Sequence, residues 1–151
     1  MARVNGLHHI TAIAGPAQEN LDFYAGVLGM RLVKKSINQD DPGTYHLFYA
    51  DAEGHPGSDL TFFQWAHLAP SRIGHGLAVE VALEIPPDTL TFWGTRLEQY
   101  GAQIEAVESR FGERVLPIVD QGAVGKAQLG SEHKVNHHLC LTTAKTLTRS
   151  G

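Results

Sequence analysis

The sequence predicts an α+β fold built from two βαβββ modules. Strand-like segments with alternating apolar residues, two segments with helical apolar spacing, and recurrence of this element order after about 70 residues support the prediction. We expect module one at 4–66 and module two at 73–125, related by a pseudo-two-fold axis and forming one domain over 1–125. The segment 126–151 is atypical, because glycines interrupt its strand pattern, and we expect it to be flexible or exchanged with a partner.

In module one the sequence predicts a strand over residues 7–14, followed at once by a helix. Pro16 suits the first helical position, where its missing N–H is harmless, and Gly29 suits the helix end. The spacing i, i+3, i+4, i+7 defines one apolar stripe, consisting of Leu21, Tyr24, Ala25 and Leu28. Turn residues then separate three predicted strands, RLVKKSI, TYHLFYAD and SDLTFFQW.

Module two repeats this order. LAVEVALEIP predicts a strand, and AQIEAVESR and RVLPIVD predict two more after the second helix. Gly101 marks the end of that helix. Its apolar stripe consists of Leu90, Trp93, Leu97 and Tyr100.

Two adjacent histidines stand at the head of the first strand. Because side chains alternate between the faces of a strand, Ile10 and Ala12 are expected under the helix. The opposite, concave face then receives His9, Thr11 and Ile13. His8 points the other way or lies at the mouth of the strand.

Composition narrows the classes of partner. The formal net charge is −4, and no basic stripe indicates nucleic acid or a membrane surface, so a small molecule is the expected ligand. Cys140 is the single cysteine, which excludes an internal disulfide and a cysteine-rich zinc site. No segment approaches the ~20 apolar residues of a membrane span, and we expect a soluble, cytoplasmic protein. Nine histidines make metal chemistry the first possibility to test.

A family resemblance sharpens this possibility. GLHHIT, ENLDFYAGVLGMRLVKK, DDPGTYHLFYAD, GHPG, LTFF and RFGER occur in order along the chain. Over about Leu7 to Arg114 the chain resembles the N-terminal half of the ring-cleaving dioxygenases that act on hydroquinones. These belong to the vicinal-oxygen-chelate group, together with glyoxalase I, the bleomycin-resistance proteins and the extradiol dioxygenases.

The resemblance implies a divalent metal, Fe(II), held by two histidines and a glutamate, with open positions for a chelating diol and O₂. The second histidine of the motif, His9, maps to a metal ligand. The resemblance places His8 and Thr11 near the reacting oxygen, where they assist proton transfer. The resulting prediction is an Fe(II) extradiol-type dioxygenase for a catechol or hydroquinone, a small aromatic substrate.

In longer members of this branch a further domain supplies the remaining ligands. Alignment of the two modules by their buried stripes places Glu80 at the position equivalent to His9, which makes it a candidate ligand. His75 and, from the last segment, Glu132 or His133 are further candidates. Short members of the group commonly form homodimers with metal sites between subunits, and we expect a homodimer here, because it would also cover open sheet edges. By register with glyoxalase-like chains the ligand position of the fourth strand falls at Leu60, with Asp59 facing away.

Three alternatives remain open. His9 can instead be a core histidine bonded to a backbone carbonyl. The chain can be a metal-free binding protein of the bleomycin-resistance kind, which the apolar Leu60 favours, or an inactive half-enzyme. A glyoxalase-type lyase would need acidic ligands that the pattern does not provide.

Overall fold

The computed structural model of the chain combines sheets with few helices, which confirms the α+β class. The chain divides into two compact units, Met1–Leu68 and Ala69–Gly151. The structure describes residues 3–4, 6–65, 67, 80–86, 88–110, 112–120, 125–130 and 137–142. For Asp120 and for 125–130 and 137–142 the description is limited to the backbone.

The first unit contains one four-stranded sheet and one helical segment. The sheet order is β1-β4-β3-β2, in which β1 pairs with β4 in parallel and the other neighbours are antiparallel. Each predicted segment of module one therefore holds an element of the expected type. The elements are β1 (His9–Ala14), α1 (Ala17–Leu21), a π-helical segment (Asp22–Val27), β2 (Arg31–Ile37), β3 (Tyr45–Ala50) and β4 (Asp59–Gln64).

The first helix differs from the prediction in its details. Pro16 lies just before the first turn, with φ −59° and ψ 135°, rather than in it. The helix widens in its second half, where the Leu28 N–H donates to the Phe23 carbonyl at 2.9 Å. Because a π turn adds one residue per turn, it shifts the following residues around the axis. Val27, which is not part of the predicted apolar stripe, is therefore buried together with Tyr24 and Leu28, which are.

The core of this unit lies between the helix and one face of the sheet. Tyr24 and Tyr49 are 0 % exposed and Phe62 is 1 % exposed. The Tyr24 ring centroid lies 4.5 Å from that of Phe62 and 5.3 Å from that of Tyr49. Leu60 is also in this core, at 2 % exposure. Leu60 and Phe62, which alternate along β4, thus pack on the helix side of the sheet.

The described residues of the second unit form a six-stranded sheet and one helix. Strand β8 pairs antiparallel with β6, β7 and β9, and β5 pairs with β9 and β10. Strands β9 and β10 were not recognisable in the sequence; whether 126–151 is flexible or exchanges with a partner stays a prediction. The elements are β5 (Glu80–Ile85), α2 (Leu90–Gln99), β6 (Gln103–Ile104), β7 (Glu108–Arg110), β8 (Glu113–Asp120), β9 (Gly125–Gly130) and β10 (His137–Thr142).

Helix α2 buries only part of its predicted stripe. Leu90 and Leu97 are buried, whereas Tyr100, the last residue of the predicted stripe, is 57 % exposed. Tyr100 follows the last helical residue, and the Arg96 guanidinium lies 5.0 Å from the centre of its ring. In the part of the chain that the structure describes, no helix has both the length and the apolar character required to cross a membrane.

Two isomeric side chains of the first unit test this core. We expect Leu60→Ala to lower the free energy of unfolding by about 3 kcal/mol, because it leaves a cavity in a packed core. Ile37→Ala, at a side chain that is 59 % exposed, serves as the control and should cost about 0.5 kcal/mol. Urea unfolding of both variants measures the difference. Equal losses would contradict the burial of Leu60.

Candidate functional site

Strand β1 presents its predicted functional side chains on one face of the sheet. His9, Thr11 and Ile13 are exposed, whereas the alternate residues Ile10 and Ala12 are half-buried. The face that carries His9 and Thr11 is therefore the one opposite the helix.

His8 and His9 contact each other at the mouth of β1. Their Nδ1 atoms are 3.0 Å apart, and the rings meet edge to face with centroids 5.3 Å apart. One Nδ1 must carry a proton for this hydrogen bond to form, so the other accepts it. Both rings are exposed, and coordination of a metal by His9 through Nε2 would leave the contact between the rings intact.

Asp59, rather than Leu60, shares the face of His9, and the predicted register is therefore wrong. In the parallel pairing of β1 with β4, His9 is opposite Asp59 and Ile10 is opposite Leu60. Paired residues lie on the same face of a sheet, so Leu60 belongs to the core and Asp59 to the functional face. The Asp59 side chain is 17 % exposed, and its Oδ2 lies 3.9 Å from His8 Nδ1.

A chain of three polar side chains crosses the same face. The Thr61 hydroxyl donates to Thr11 Oγ1 at 2.9 Å, and His46 Nε2 lies 3.0 Å from Thr61 Oγ1. Thr61 is 0 % exposed although Thr11, its register partner, is exposed. The sequence pattern alone does not connect His46 with Thr11.

Aromatic rings surround His46. The centroid of its ring is 4.1 Å from that of Phe48 and 4.0 Å from that of Phe63, and Phe63 in turn contacts Trp65 at 5.5 Å. Burial lowers the pKa of His46, and the charges of His9 and Lys34 lower it further. A neutral imidazole is therefore the form that this environment favours.

The β3–β4 loop fixes the backbone at the head of β1. The Gly57 N–H donates to the His8 carbonyl at 2.8 Å. Gly57 has φ 94°, and a Cβ at this position would lie 3.3 Å from the Leu7 carbonyl oxygen. Both the left-handed backbone and the close approach favour glycine here.

Asp51 organises this loop. Its Oδ1 accepts the backbone N–H groups of Glu53, Gly54 and His55 at 3.0, 2.6 and 3.1 Å, and its Oδ2 lies 2.8 Å from His55 Nδ1. These contacts, above all the one with the His55 imidazole, lower the pKa of the Asp51 carboxyl. The same hydrogen bond raises the pKa of His55.

Glu80 occupies the first position of β5 in the second unit. Its carboxylate forms an ion pair with Arg110, which also pairs with Glu108. The hydrogen bond with Glu80 raises the pKa of Arg110. Any metal that used Glu80 would therefore compete with this ion pair.

The remaining predicted ligands lie outside the described residues; they are His75, Glu132 and His133. Within the described ranges, no three His, Cys, Asp or Glu residues are gathered closely enough to hold a metal ion by themselves. Among the residues that the structure describes, His9 is thus accompanied by one carboxylate and one neighbouring imidazole.

The match to known families agrees with this fold. The model of the Glyoxalase/Bleomycin resistance protein/Dioxygenase superfamily matches residues 6–139, and the chain belongs to that superfamily. The chain is 48 % identical over 115 residues to MhqO of Bacillus subtilis (strain 168), whose name assigns it provisionally to the ring-cleaving dioxygenases. It is 35 % identical over 116 residues to the chlorohydroquinone/hydroquinone 1,2-dioxygenase of Sphingobium indicum.

These alignments cover most of this chain and a minor part of the relatives. They span 76 % of this chain in both cases, but 36 % of MhqO and 36 % of the Sphingobium enzyme. A crystal structure of a Bacillus subtilis protein described provisionally as a dioxygenase superposes with a TM-score of 0.71 at 47 % identity, over 78 % of this chain and 37 % of that chain. The chain thus spans little more than a third of the length of these proteins.

The Asp51–His55 contact predicts pH-dependent protection of the loop. The contribution of His55, whose pKa is raised, is complete below its unfolded value of ~6.5 and is lost as the pH rises through the folded value. The contribution of Asp51, whose pKa is lowered, is present above ~3.9 and is lost as the pH falls through the folded value. The protection factor of the Gly54 amide in hydrogen exchange should therefore be higher at about pH 5.5 than at about pH 8.5.

The variant Asp51→Asn is the control for this measurement. It keeps the size of the side chain and removes the charge that His55 needs as a partner. We expect lower protection of Gly54 in the variant and a smaller change between the two pH values, because the Glu53 carboxylate, 3.2 Å from His55 Nε2, remains beside the ring. A wild-type protection factor that is flat across this range would contradict the coupling.

Proposed function

We propose that the chain provides a metal-binding face of a ring-cleaving dioxygenase that acts on a catechol or hydroquinone, with Fe(II) as the metal. The observation that carries the proposal is the placement of His9, Asp59 and Thr11 on one face of the first sheet. The names of the relatives, which include a hydroquinone dioxygenase, favour this reaction class over the other activities of the superfamily. A homodimer stays a prediction.

The donor atoms on this face suit the proposed metal in type. Imidazole nitrogen and carboxylate oxygen are the ligands of the two-histidine, one-carboxylate sites that hold Fe(II) in oxygenases. His9 would supply an imidazole and Asp59 a carboxylate. Bound Fe(II) would supply open positions for a substrate oxygen and for O₂. Glu80 stays a predicted ligand in the second unit, where it would first have to leave Arg110.

His8 is proposed as the proton acceptor. A neutral imidazole takes up a phenolic proton near neutral pH, and the His8 ring is exposed and adjacent to His9. The Asp59 carboxylate, 3.9 Å from His8 Nδ1, compensates the positive charge that the ring then acquires. Thr11 is proposed to hold a substrate oxygen through its exposed hydroxyl.

Anaerobic titration with Fe(II) tests the metal site. We expect His9→Ala to weaken Fe(II) binding by at least about tenfold, because even partners outside the ligand shell have effects of that size. The matched control is His67→Ala, at an exposed histidine outside the sheet. Binding that is unchanged in His9→Ala, or lowered equally in both variants, would contradict a ligand role for His9.

A metal-free binding protein is the second candidate function. It is favoured by the incomplete ligand group among the described residues and by the rings of Phe48 and Phe63 on the same sheet, with Trp65 directly after β4. If it is correct, hydroquinone should quench the fluorescence of Trp65 equally with Fe(II) and with a chelator. Trp93→Phe removes the other tryptophan and isolates the signal. Quenching that requires Fe(II) would instead support the dioxygenase.

A further inference from the structure

The Thr61 hydroxyl is buried, although Thr11, its partner on the neighbouring strand β1, is exposed. Thr61 is 0 % exposed, and a hydroxyl removed from water in this way requires hydrogen-bond partners. It has two, Thr11 Oγ1 at 2.9 Å and His46 Nε2 at 3.0 Å. A hydroxyl has one proton to donate. When Thr61 donates to Thr11, it can therefore only accept from His46.

Neighbouring side chains favour the orientation of the His46 ring in which Nε2 contacts the Thr61 hydroxyl. Phe48 and Phe63 both contact it, with centroids at 4.1 and 4.0 Å and interplanar angles of 37° and 32°. Phe63 is the register partner of His46, and Phe48 is the register partner of Thr61. The two phenyl rings offer no hydrogen bond in exchange, so rotation of His46 would cost it the Thr61 contact without a replacement.

We propose that His46 is a positioning residue for the Thr11 hydroxyl and acts through Thr61. In its Nε2-protonated tautomer His46 donates to Thr61, and Thr61 donates to Thr11. One lone pair of the Thr11 oxygen then accepts from inside the sheet, and the Thr11 proton is not used by Thr61. His46 thereby keeps the Thr11 hydroxyl available as a hydrogen-bond donor to a ligand above the face.

The direction in which these hydrogen bonds are donated matters for the reaction proposed above. Its consequence for catalysis rests on that proposed function. A catechol or hydroquinone that has lost a proton carries negative charge on oxygen, which requires a donor. Thr11 is two positions from His9 on the same strand and the same face. Because hydrogen bonds in series strengthen one another, loss of the inner bond should weaken the donor at the outer end.

The tautomer of His46 is the direct test. In ¹⁵N-histidine-labelled full-length chain, long-range ¹H–¹⁵N spectra identify which ring nitrogen carries the proton, and His46→Gln assigns the signal by its disappearance. We expect protonated Nε2 in the wild type and in Thr61→Ser, which keeps the hydroxyl. Thr61→Val, which replaces the hydroxyl by a methyl group, should give a mixture of tautomers. Protonated Nδ1 in the wild type, or an unchanged spectrum in Thr61→Val, would overturn the proposal.

Kinetics with Fe(II) and a hydroquinone test the consequence. We expect kcat to fall about tenfold in Thr61→Val with KM little changed, the size of one weakened hydrogen bond made in the transition state. Thr61→Ser should retain most of the activity. Equal kcat values in the two variants would overturn the positioning role. A wild-type chain with the expected tautomer but no ring cleavage would overturn the proposed function, and would leave the hydrogen-bond chain from His46 to Thr11 supported.

Discussion

The parallel pairing of β1 with β4 is the constraint on which the first unit and its functional face depend. It joins strands about 50 residues apart and aligns six pairs, from His9 with Asp59 to Ala14 with Gln64. Because side chains alternate with a period of two, this register decides which residues of β4 accompany His9. A slip by one residue would bring Leu60 to the functional face and send Asp59 into the core.

The β3–β4 loop supports this pairing at its open end. Asp51 draws three successive N–H groups toward its carboxylate, and the same loop delivers the Gly57 N–H to the His8 carbonyl. The strand therefore enters the sheet with its first residues held at the backbone, by the loop at His8 and by pairing with β4 from His9. Exposed histidine rings alone would not define their position, because each has rotamers of similar energy in water.

Local elements could be predicted from the sequence, whereas the partners of the site residues could not. Gly29 at the helix end and the strand segments of module one depend on neighbours within a few positions, and these predictions are confirmed. The register that selects Asp59 depends on a strand far away along the chain, and no local pattern encodes it. The same is true of His46, whose role follows only from its contact with Thr61 across two strands.

The alternation of side chains along β4 also places residues that stabilise the core and residues of the candidate site on opposite faces of the sheet. In β4, Leu60 and Phe62 pack toward the helix, and Asp59 and Thr61 belong to the opposite face. A change at Asp59 therefore removes a charge beside His8 without opening a cavity in the core, whereas a change at Leu60 does the reverse. Thr61 is the exception, because it is buried and yet polar, and its hydroxyl links the exposed Thr11 to His46. The sheet thus separates a core in which substitutions cost packing from a face in which they change charge and hydrogen bonding.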